Sequence, residues 1–372
     1  MRVALDTTFA GINNTGVGRY SRQLAAALRA LADRPAGQFD LAVFGPSAHA
    51  SLHRLRDLAL ENPLATQAWL PMRLAAYRPD ILHSTAFVGP LWGRGRFVLT
   101  FHDLIYHHYP ADYDGLWLRV IEALAPRALR RARAVIAISR CTADDLARNY
   151  RVPAGKIHVV PIGIDSAFFA PVPPARVAAV RERFGLTAPY VLHTGALVRR
   201  KNLAMLVRAF SRYCAEAGDD TTLLALTGRP APGMPGVADL LSAIESSPAR
   251  ARIRLLGHAP GPDLPALYAG ARLVVYPTEF EGQGLPPLEA MAVGTPVLAS
   301  STPAVAEVAA PAAYLADPHA EPAWSAALAR LLPDSSLRAS MVERGLSVAS
   351  NYTWPRCAEA TLAIYECVLR GG

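Results

Sequence analysis

Two glutamates that frame a glycine-rich loop have the clearest potential for chemistry in this chain. Glu281 precedes the loop and Glu289 follows it, with Gly282 and Gly284 between them. Glycine lacks a Cβ, so the backbone can approach a ligand closely here. A turn separates the carboxylates, so both can face one cavity, for example as the acid and nucleophile of a glycoside hydrolase. The same pattern also fits a strand-turn-helix unit whose glutamates are solvated or cap the helix.

The segment after this loop predicts a helix whose first turn faces the loop. Pro286 and Pro287 lie where that helix begins. Proline is tolerated there because its missing N–H would have no helical partner anyway. The free N–H groups and partial positive charge of a helix N-terminus favour a phosphate or a sugar oxygen. The loop is therefore a candidate site for a ligand of this kind.

A basic motif follows another predicted strand, at 190–194. Arg200 and Lys201 come after this strand, at the start of a helix predicted to end near Tyr213. A helix N-terminus with two cations beside it is a diphosphate site on physical grounds. The chain has only two lysines, Lys156 and Lys201, among its 38 Lys and Arg residues, so this ammonium group stands out. The alternative is a solvated helix start.

Two motifs in the first half also follow predicted strands. One is a glycine loop before a helix predicted to end near residue 32, and it contains Gly16, Gly18 and Arg19. Such a loop can cradle phosphate or sugar oxygens, or it can be a plain turn. The other motif is His102, directly after the apolar strand 97–101. An imidazole at the end of a strand is placed for function, although a lone histidine is more often structural.

Twelve short apolar runs predict β-strands, with helical stretches between most of them. They are residues 2–6, 41–44, 81–83, 97–101, 135–139, 159–161, 190–194, 222–226, 253–256, 273–276, 296–299 and 313–315. This alternation predicts an α/β protein of two Rossmann-like, doubly wound domains with parallel sheets. The proline-rich segment 171–174 is the predicted linker, with a first domain at 1–170 and a second at 171–354.

The loop and the helix after it resemble the donor-binding signature of retaining glycosyltransferases of family 4. The resemblance rests on the spacing of Glu281 and Glu289 and on Ala-Met-Ala-Val-Gly-Thr-Pro-Val at 290–297. It implies the GT-B fold, in which two Rossmann-like domains face each other across a cleft and the terminal helix, here 355–372, packs back on the first domain. It also implies that Glu289 holds the ribose hydroxyls of a nucleotide-sugar and that Glu281 contacts hydroxyls of the transferred sugar.

Further residues match the pattern of this family. Arg200 and Lys201 would neutralise the donor's phosphates, His102 would hydrogen-bond the transferred sugar, and the segment from His258 would face the nucleobase. The loop over the diphosphate and the acceptor is matched by Gly16, Gly18 and Arg19. The backbone amides that line the sugar and diphosphate are matched by Gln283, Gly284 and Leu285. Gln283 departs from the family, which more often has an aromatic residue there.

The resemblance implies a retaining hexosyltransferase that needs neither a metal nor another cofactor. Its groups nearest the chemistry would be His102, Glu281, Arg200 and Lys201. The similarity to bacterial enzymes that build polysaccharides and lipid-linked glycans suggests GDP-mannose as donor, with a UDP-sugar as second choice, and a glycan, lipid-linked or small-molecule acceptor. The alternatives are a sugar-nucleotide epimerase of the same fold, a glycoside hydrolase and a non-catalytic nucleotide-sugar-binding protein.

Positive charge is concentrated in the first half of the chain. Residues 1–168 carry 20 Lys and Arg against 13 Asp and Glu, a net +7, whereas residues 169–372 carry 18 against 17, a net +1. This imbalance suggests an anionic partner such as a phospholipid surface or a phosphorylated acceptor, or it merely keeps the protein soluble. The predicted helix 116–133, with Trp117 early and four arginines late, fits an anionic membrane face. No nucleic-acid module is apparent.

The remaining features suggest a cytoplasmic protein, with peripheral membrane contact as an option. The N-terminus reads as a strand instead of a secretory signal, and no apolar run reaches about 18 residues. Four cysteines without CxxC spacing fit reduced thiols. His107 and His108 lie in an aromatic segment that we interpret as a mobile acceptor-side loop. They lack further ligands at metal-binding spacing.

Overall fold

The computed structural model describes residues 1–8, 16–34, 39–45, 66–230 and 233–371. Contacts divide the chain into two compact units. Unit 1 comprises Met1–Gly163 together with Trp354–Gly372, and unit 2 comprises Ile164–Thr353. The first division thus lies a few residues before the expected one at 170, and unit 1 contains the terminal helix.

All twelve predicted strands are present, each within two residues of its expected ends. They are β1 Arg2–Asp6, β2 Asp40–Phe44, β3 Ile81–Ser84, β4 Arg96–Phe101, β5 Ala134–Ala137, β6 Ile157–Val159, β7 Tyr190–His193, β8 Leu223–Thr227, β9 Ile253–Gly257, β10 Leu273–Tyr276, β11 Val297–Ser300 and β12 Tyr314–Ala316. Most are continuous apolar runs buried on both faces, as expected for parallel strands covered by helices.

Helices connect most of these strands. In unit 1 they are α1 Gly16–Ala32, α2 Thr66–Tyr77, α3 Ile105–His108, α4 Gly115–Arg131, α5 Arg140–Tyr150 and, after unit 2, the terminal helix. In unit 2 they are α6 Pro174–Arg183, α7 Leu203–Ala217, α8 Val237–Glu245, α9 Leu264–Gly270, α10 Leu285–Val293, α11 Pro303–Ala309, α12 Glu321–Leu331 and α13 Ser335–Ala349, and the terminal helix is α14 Trp354–Arg370.

Each unit contains a six-stranded sheet in which every strand pair is parallel. The order in unit 1 is β2-β1-β3-β4-β5-β6, and the order in unit 2 is β12-β11-β10-β7-β8-β9. Counted from β7, the second sheet has the order 3-2-1-4-5-6 of dinucleotide-binding domains. The order in which the chain adds strands reverses between β7 and β10. In sheets of this kind, ligands bind at the carboxyl ends of the strands at that reversal point.

The terminal helix α14 is bonded to the sheet of unit 1. The Tyr365 hydroxyl lies 2.6 Å from Nδ1 of His83 in β3, and both side chains are fully buried. Arg96 at the start of β4 donates to the carbonyls of Val368 and Leu369. Burial lowers the pKa of His83 to about 3, so its imidazole is neutral. These contacts make α14 an integral part of unit 1.

Two local predictions were wrong, and a third segment has more regular structure than expected. The segment 171–174 is not a linker, because it lies inside unit 2 and leads into α6, whose first residue is Pro174. The helix after Lys201 begins only at Leu203. The segment expected to be an acceptor-side loop contains the short helix α3. Its Tyr106 is buried, and the Tyr106 and Tyr150 hydroxyls are hydrogen-bonded at 2.9 Å.

Within the part of the chain that the structure describes, no helix is long and apolar enough to cross a bilayer.

Candidate active site

The reversal point of the second sheet brings Arg200, Lys201 and Glu281 together. The cations follow β7 and the glutamate follows β10, and these strands are neighbours. Lys201 Nζ and Arg200 Nη1 each lie 2.6 Å from Glu281 Oε1. The Thr278 hydroxyl donates to the same oxygen at 2.9 Å. Three donors from two loops therefore meet at one carboxylate oxygen.

Burial and charge set the protonation of this cluster. Lys201 is 5% exposed, and its ammonium lies 4.5 Å from the centre of the Tyr276 ring and 2.6 Å from the Tyr276 hydroxyl. Burial lowers the pKa of Lys201 to about 8, although Glu281 opposes this shift. Burial would raise the pKa of Glu281, but Lys201 and Arg200 outweigh it and lower that pKa to about 2. At neutral pH the cluster contains two cations and one carboxylate.

His193, the last residue of β7, lies beneath this cluster. Its Nδ1 donates to the Val275 carbonyl at 3.1 Å, and its ring stacks on Tyr276 with 5.9 Å between ring centres. Its Nε2 is buried and has no hydrogen-bond partner among the described residues. Burial, reinforced by Lys201, lowers the pKa of His193 to about 3. The imidazole is therefore neutral and adds no charge to the cluster.

The glycine loop after β10 leads into α10 as expected. Gly282, Gln283 and Gly284 are buried. Gly284 has a φ of +98°, which side-chain-bearing residues rarely adopt, and α10 starts at the next residue, Leu285. The nine-residue helix α10 thus directs its first N–H groups toward the end of the sheet that holds Glu281.

Glu289 lies inside α10 and has different partners from Glu281. Its side chain is 5% exposed, and its Oε2 accepts a hydrogen bond from the Tyr268 hydroxyl at 3.1 Å. That hydroxyl also lies 2.6 Å from Oγ1 of Thr194, which directly follows β7. The two glutamates therefore belong to separate hydrogen-bonded groups. Tyr268 orients Glu289, whereas cations hold Glu281.

The backbones after β7, β8 and β9 are adjacent. Gly228 N donates to the Gly257 carbonyl at 2.7 Å, and Gly195 N donates to the Thr227 hydroxyl at 3.1 Å. A Cβ on Gly228 would lie only 2.6 Å from the Gly195 carbonyl oxygen. His258 follows Gly257, the last residue of the edge strand β9, and is exposed. Glycines thus bring half-buried main chain close together near the lysine.

In unit 1, His102 lies at the carboxyl end of β4. Its Nε2 donates to the Thr85 carbonyl at 2.8 Å, and Tyr20 contacts its ring edge-on with 4.7 Å between ring centres. The imidazole is 3% exposed, and burial lowers its pKa to about 4. Because Nε2 carries the proton, Nδ1 is a hydrogen-bond acceptor.

The predicted glycine loop near the N-terminus is helical where the structure describes it. Gly16, Gly18 and Arg19 form the first turn of α1, and Asn14 and Thr15 lie outside the described residues. Gly16 is exposed and Gly18 is buried. Tyr20 follows Arg19 in α1 and contacts His102, so the start of α1 and the end of β4 share one edge of the sheet.

Sequence reasoning missed the aromatic and hydroxyl residues that hold the charged groups. Tyr276 and His193 contact or underlie Lys201, Tyr268 bonds Glu289, and Thr278 bonds Glu281. The sequence could have indicated two of them, because Tyr276 and His193 are the last residues of strands at the edge of the sheet where such folds bind ligands. Among the residues that the structure describes, no three His, Cys, Asp or Glu side chains are grouped as metal ligands.

The two units match two family models. Residues 179–348 match the model described as "Glycosyl transferases group 1", and residues 14–168 match "Glycosyltransferase Family 4". A relative from Escherichia coli, O-antigen chain mannosyltransferase B, is 31% identical over 373 residues, which is 95% of this chain and 96% of the relative. The chain therefore belongs to the family 4, group 1 glycosyltransferases.

Solved structures show the same fold over the whole chain. Sucrose-phosphate synthase from Thermosynechococcus elongatus has a TM-score of 0.78 and 21% identity, with all of both chains covered. HepE from Anabaena, in complex with UDP and glucose, has a TM-score of 0.74 and 19% identity, with 99% of this chain and all of the other covered. The expected GT-B class, with two Rossmann-like sheets, is confirmed.

Proposed function

We propose that this glycosyltransferase moves a hexose from a nucleoside diphosphate sugar to an acceptor hydroxyl and retains the α configuration. This proposal rests mainly on one observation: Arg200 and Lys201 both form ion pairs with Glu281 at the reversal point of the second sheet. Two cations beside a helix N-terminus suit a diphosphate leaving group. As the glycosidic bond breaks, negative charge grows on that diphosphate, and these cations would stabilise it.

This arrangement supports a reaction without a metal ion. Arg200 and Lys201 together supply two positive charges, the same charge as one divalent cation. The N–H groups at the start of α10, after Gly284, add partial positive charge. Front-face attack, with the leaving phosphate accepting the proton of the acceptor hydroxyl, would then need no protein nucleophile. Activity that is unchanged in EDTA is the expected result.

Three further residues have proposed roles at the donor. Glu281 would accept hydrogen bonds from hydroxyls of the transferred sugar once Arg200 and Lys201 bind the phosphates instead of its carboxylate. Glu289, oriented by Tyr268, would hold the ribose hydroxyls. His102 would accept a hydrogen bond from a sugar hydroxyl at Nδ1, because its Nε2–H already donates to the Thr85 carbonyl. The main chain around Gly257 would contact the base.

The proposed donor is GDP-mannose, because the relative that matches 95% of the chain is a mannosyltransferase. A UDP-sugar is the second candidate, since HepE has been solved with UDP and glucose. The proposed acceptor is a hydroxyl of a glycan, a lipid-linked saccharide or a small molecule in bacterial polysaccharide synthesis. Each candidate donor can be tested separately from the acceptor.

The deciding experiment measures donor binding before transfer. Thermal unfolding is followed with GDP, UDP, GDP-mannose and UDP-glucose, in EDTA and then with Mg²⁺. A bound nucleotide should raise the unfolding temperature by mass action, with one base preferred. Transfer is then measured as nucleotide release with candidate acceptors, and the anomeric configuration is read by NMR. No stabilisation by any nucleotide would overturn the proposal.

The same assays separate the rival functions. An epimerase would convert the donor sugar without transferring it to an acceptor. A hydrolase would cleave an aryl glycoside without nucleotide, but Glu281 is poorly suited as its acid, because Lys201 and Arg200 lower its pKa to about 2. A non-catalytic binding protein would show nucleotide binding and no turnover.

A peripheral membrane contact through α4 is a further part of the proposal. Four exposed side chains lie on one face of this helix, with successive spacings of three, eight and three residues: Leu116, Arg119, Arg127 and Arg130. This face combines an apolar residue, 72% exposed, with three cations. Binding to phosphatidylglycerol vesicles should weaken steeply as salt increases. Absence of binding at low salt would remove this part.

A further inference from the structure

A cavity of about 390 Å³ lies in unit 1 at the amino ends of the strands. Its polar lining consists of Asp80, Arg96, Arg131 and Arg133. Asp80 directly precedes β3, Arg96 begins β4, and Arg133 directly precedes β5. His102 lies past the opposite end of β4, and six residues of strand span about 20 Å. The cavity is therefore separate from the candidate active site.

Backbone carbonyls hold two of these guanidinium groups in place. Arg131 donates to the carbonyls of Pro90 and Gly93 and lies 4.7 Å from the centre of the Phe97 ring. Arg96 donates through Nη1 to two carbonyls at the end of α14. A guanidinium has five N–H donors, so each keeps donors for a ligand. Their orientation is fixed before any ligand arrives, which reduces the entropy cost of binding.

The charge around the cavity favours an anion. Its lining has three arginines and only one carboxylate, Asp80. Oδ2 of Asp80 already accepts a hydrogen bond from the backbone N–H of Arg2 at 2.7 Å. Lys156 lies close enough that Arg133 adds to the effect of burial in lowering the pKa of Lys156. The net +7 of residues 1–168, which the candidate active site does not explain, includes these groups.

We propose that this cavity is a second binding site, for the phosphate group of a phosphorylated small molecule or of a lipid headgroup. Planar guanidinium forks match the oxygens of a phosphate, and these three converge on one space. The volume suits a phosphate monoester with a small organic group. Nothing in this site depends on sugar transfer, so it stands or falls independently of the proposed reaction.

Calorimetric titration with sn-glycerol 3-phosphate tests the site. The Lys201→Ala variant is used as background, because it weakens phosphate binding at the candidate active site. Binding should persist in that variant and weaken at least tenfold when Arg133→Ala is added. Arg133 is exposed, so its removal should leave the fold intact. Arg29→Ala, an exposed arginine of α1 that lines neither the cavity nor the exposed face of α4, is the matched control.

Two results would overturn the proposal. One is loss of all glycerol phosphate binding in Lys201→Ala alone, and the other is equal binding with and without Arg133. Arg131→Lys provides a second variant that keeps the charge but removes the fork, and it should also weaken binding. Vesicles of phosphatidylglycerol then identify the source. If Arg133→Ala lowers vesicle binding the phosphate belongs to a lipid headgroup, and if it does not the ligand is a free phosphate ester.

Discussion

The ammonium group of Lys201 lies 2.6 Å from Oε1 of Glu281, across two loops that follow neighbouring strands. The protein thus neutralises its own candidate phosphate-binding cation in the absence of a ligand. Under the proposed function, a donor diphosphate would compete with this carboxylate for Lys201 and Arg200. This exchange would link phosphate binding to release of Glu281, which would then be available to a sugar hydroxyl.

Replacement of Lys201 by alanine tests the cation directly. We expect kcat/KM to fall about 100- to 1000-fold, because the protein loses one preorganised cation that would stabilise the leaving diphosphate. Lys156→Ala is the matched control, since Lys156 is the other lysine and bonds the carbonyls of Leu129 and Arg130 in unit 1. That control should keep full activity. Unchanged turnover in Lys201→Ala would exclude the residue from the site.

Replacement of Glu281 by glutamine should tighten nucleoside diphosphate binding while slowing transfer. The carboxylate that competes for Lys201 and Arg200 is gone, and a charged hydrogen bond contributes about 1.5 kcal/mol, or roughly tenfold in Kd. Calorimetry with GDP or UDP measures the affinity. The variant should also be less stable without nucleotide, because two cations lose their counter-ion. Weaker nucleotide binding would contradict the exchange.

The pH dependence of transfer should report Lys201. Its pKa of about 8 in the free protein means that the ammonium loses its proton as pH rises through that value. The logarithm of kcat/KM should therefore fall with pH above about 8, by up to tenfold per unit. Lys201→Arg should remove this decline, because arginine stays charged. A flat profile to pH 10 in the wild type would disprove the assignment.

Buried histidines should make the protein sensitive to acid. The pKa values of His83, His102 and His193 are lowered by burial to about 3, 4 and 3. Between pH 6.5 and these values the unfolded chain binds protons that the folded chain does not, so stability falls as pH falls. Three such groups account for about 4 kcal/mol per pH unit well below pH 6.

Urea unfolding at pH 7.5 and pH 5.5 measures this loss. His193→Gln should reduce the stability loss between these two pH values by about one third, or roughly 1.4 kcal/mol, whatever its effect on absolute stability. Equal pH dependence in the variant and the wild type would mean that His193 is protonated in the fold, against the effect of its burial.

The strands were predictable because each is a short apolar run between polar turns, as Leu273–Tyr276 illustrates. The candidate donor loop was predictable because glycine and proline restrict its backbone directly. The ion pair between Lys201 and Glu281 was not, since it depends on which strands are neighbours in the sheet. Likewise, sequence alone could not show that Pro174 begins a helix, because proline is common both in linkers and in first turns.

Unit 2 is an insertion within unit 1, since its chain enters at Ile164 and leaves at Thr353. These two ends form a bridge, and Ile164 N donates to the Tyr352 carbonyl at 2.8 Å. During synthesis on the ribosome, unit 2 has all its residues while unit 1 still lacks α14 and therefore Tyr365, the partner of His83. The first part of the chain to be made is thus the last to be completed.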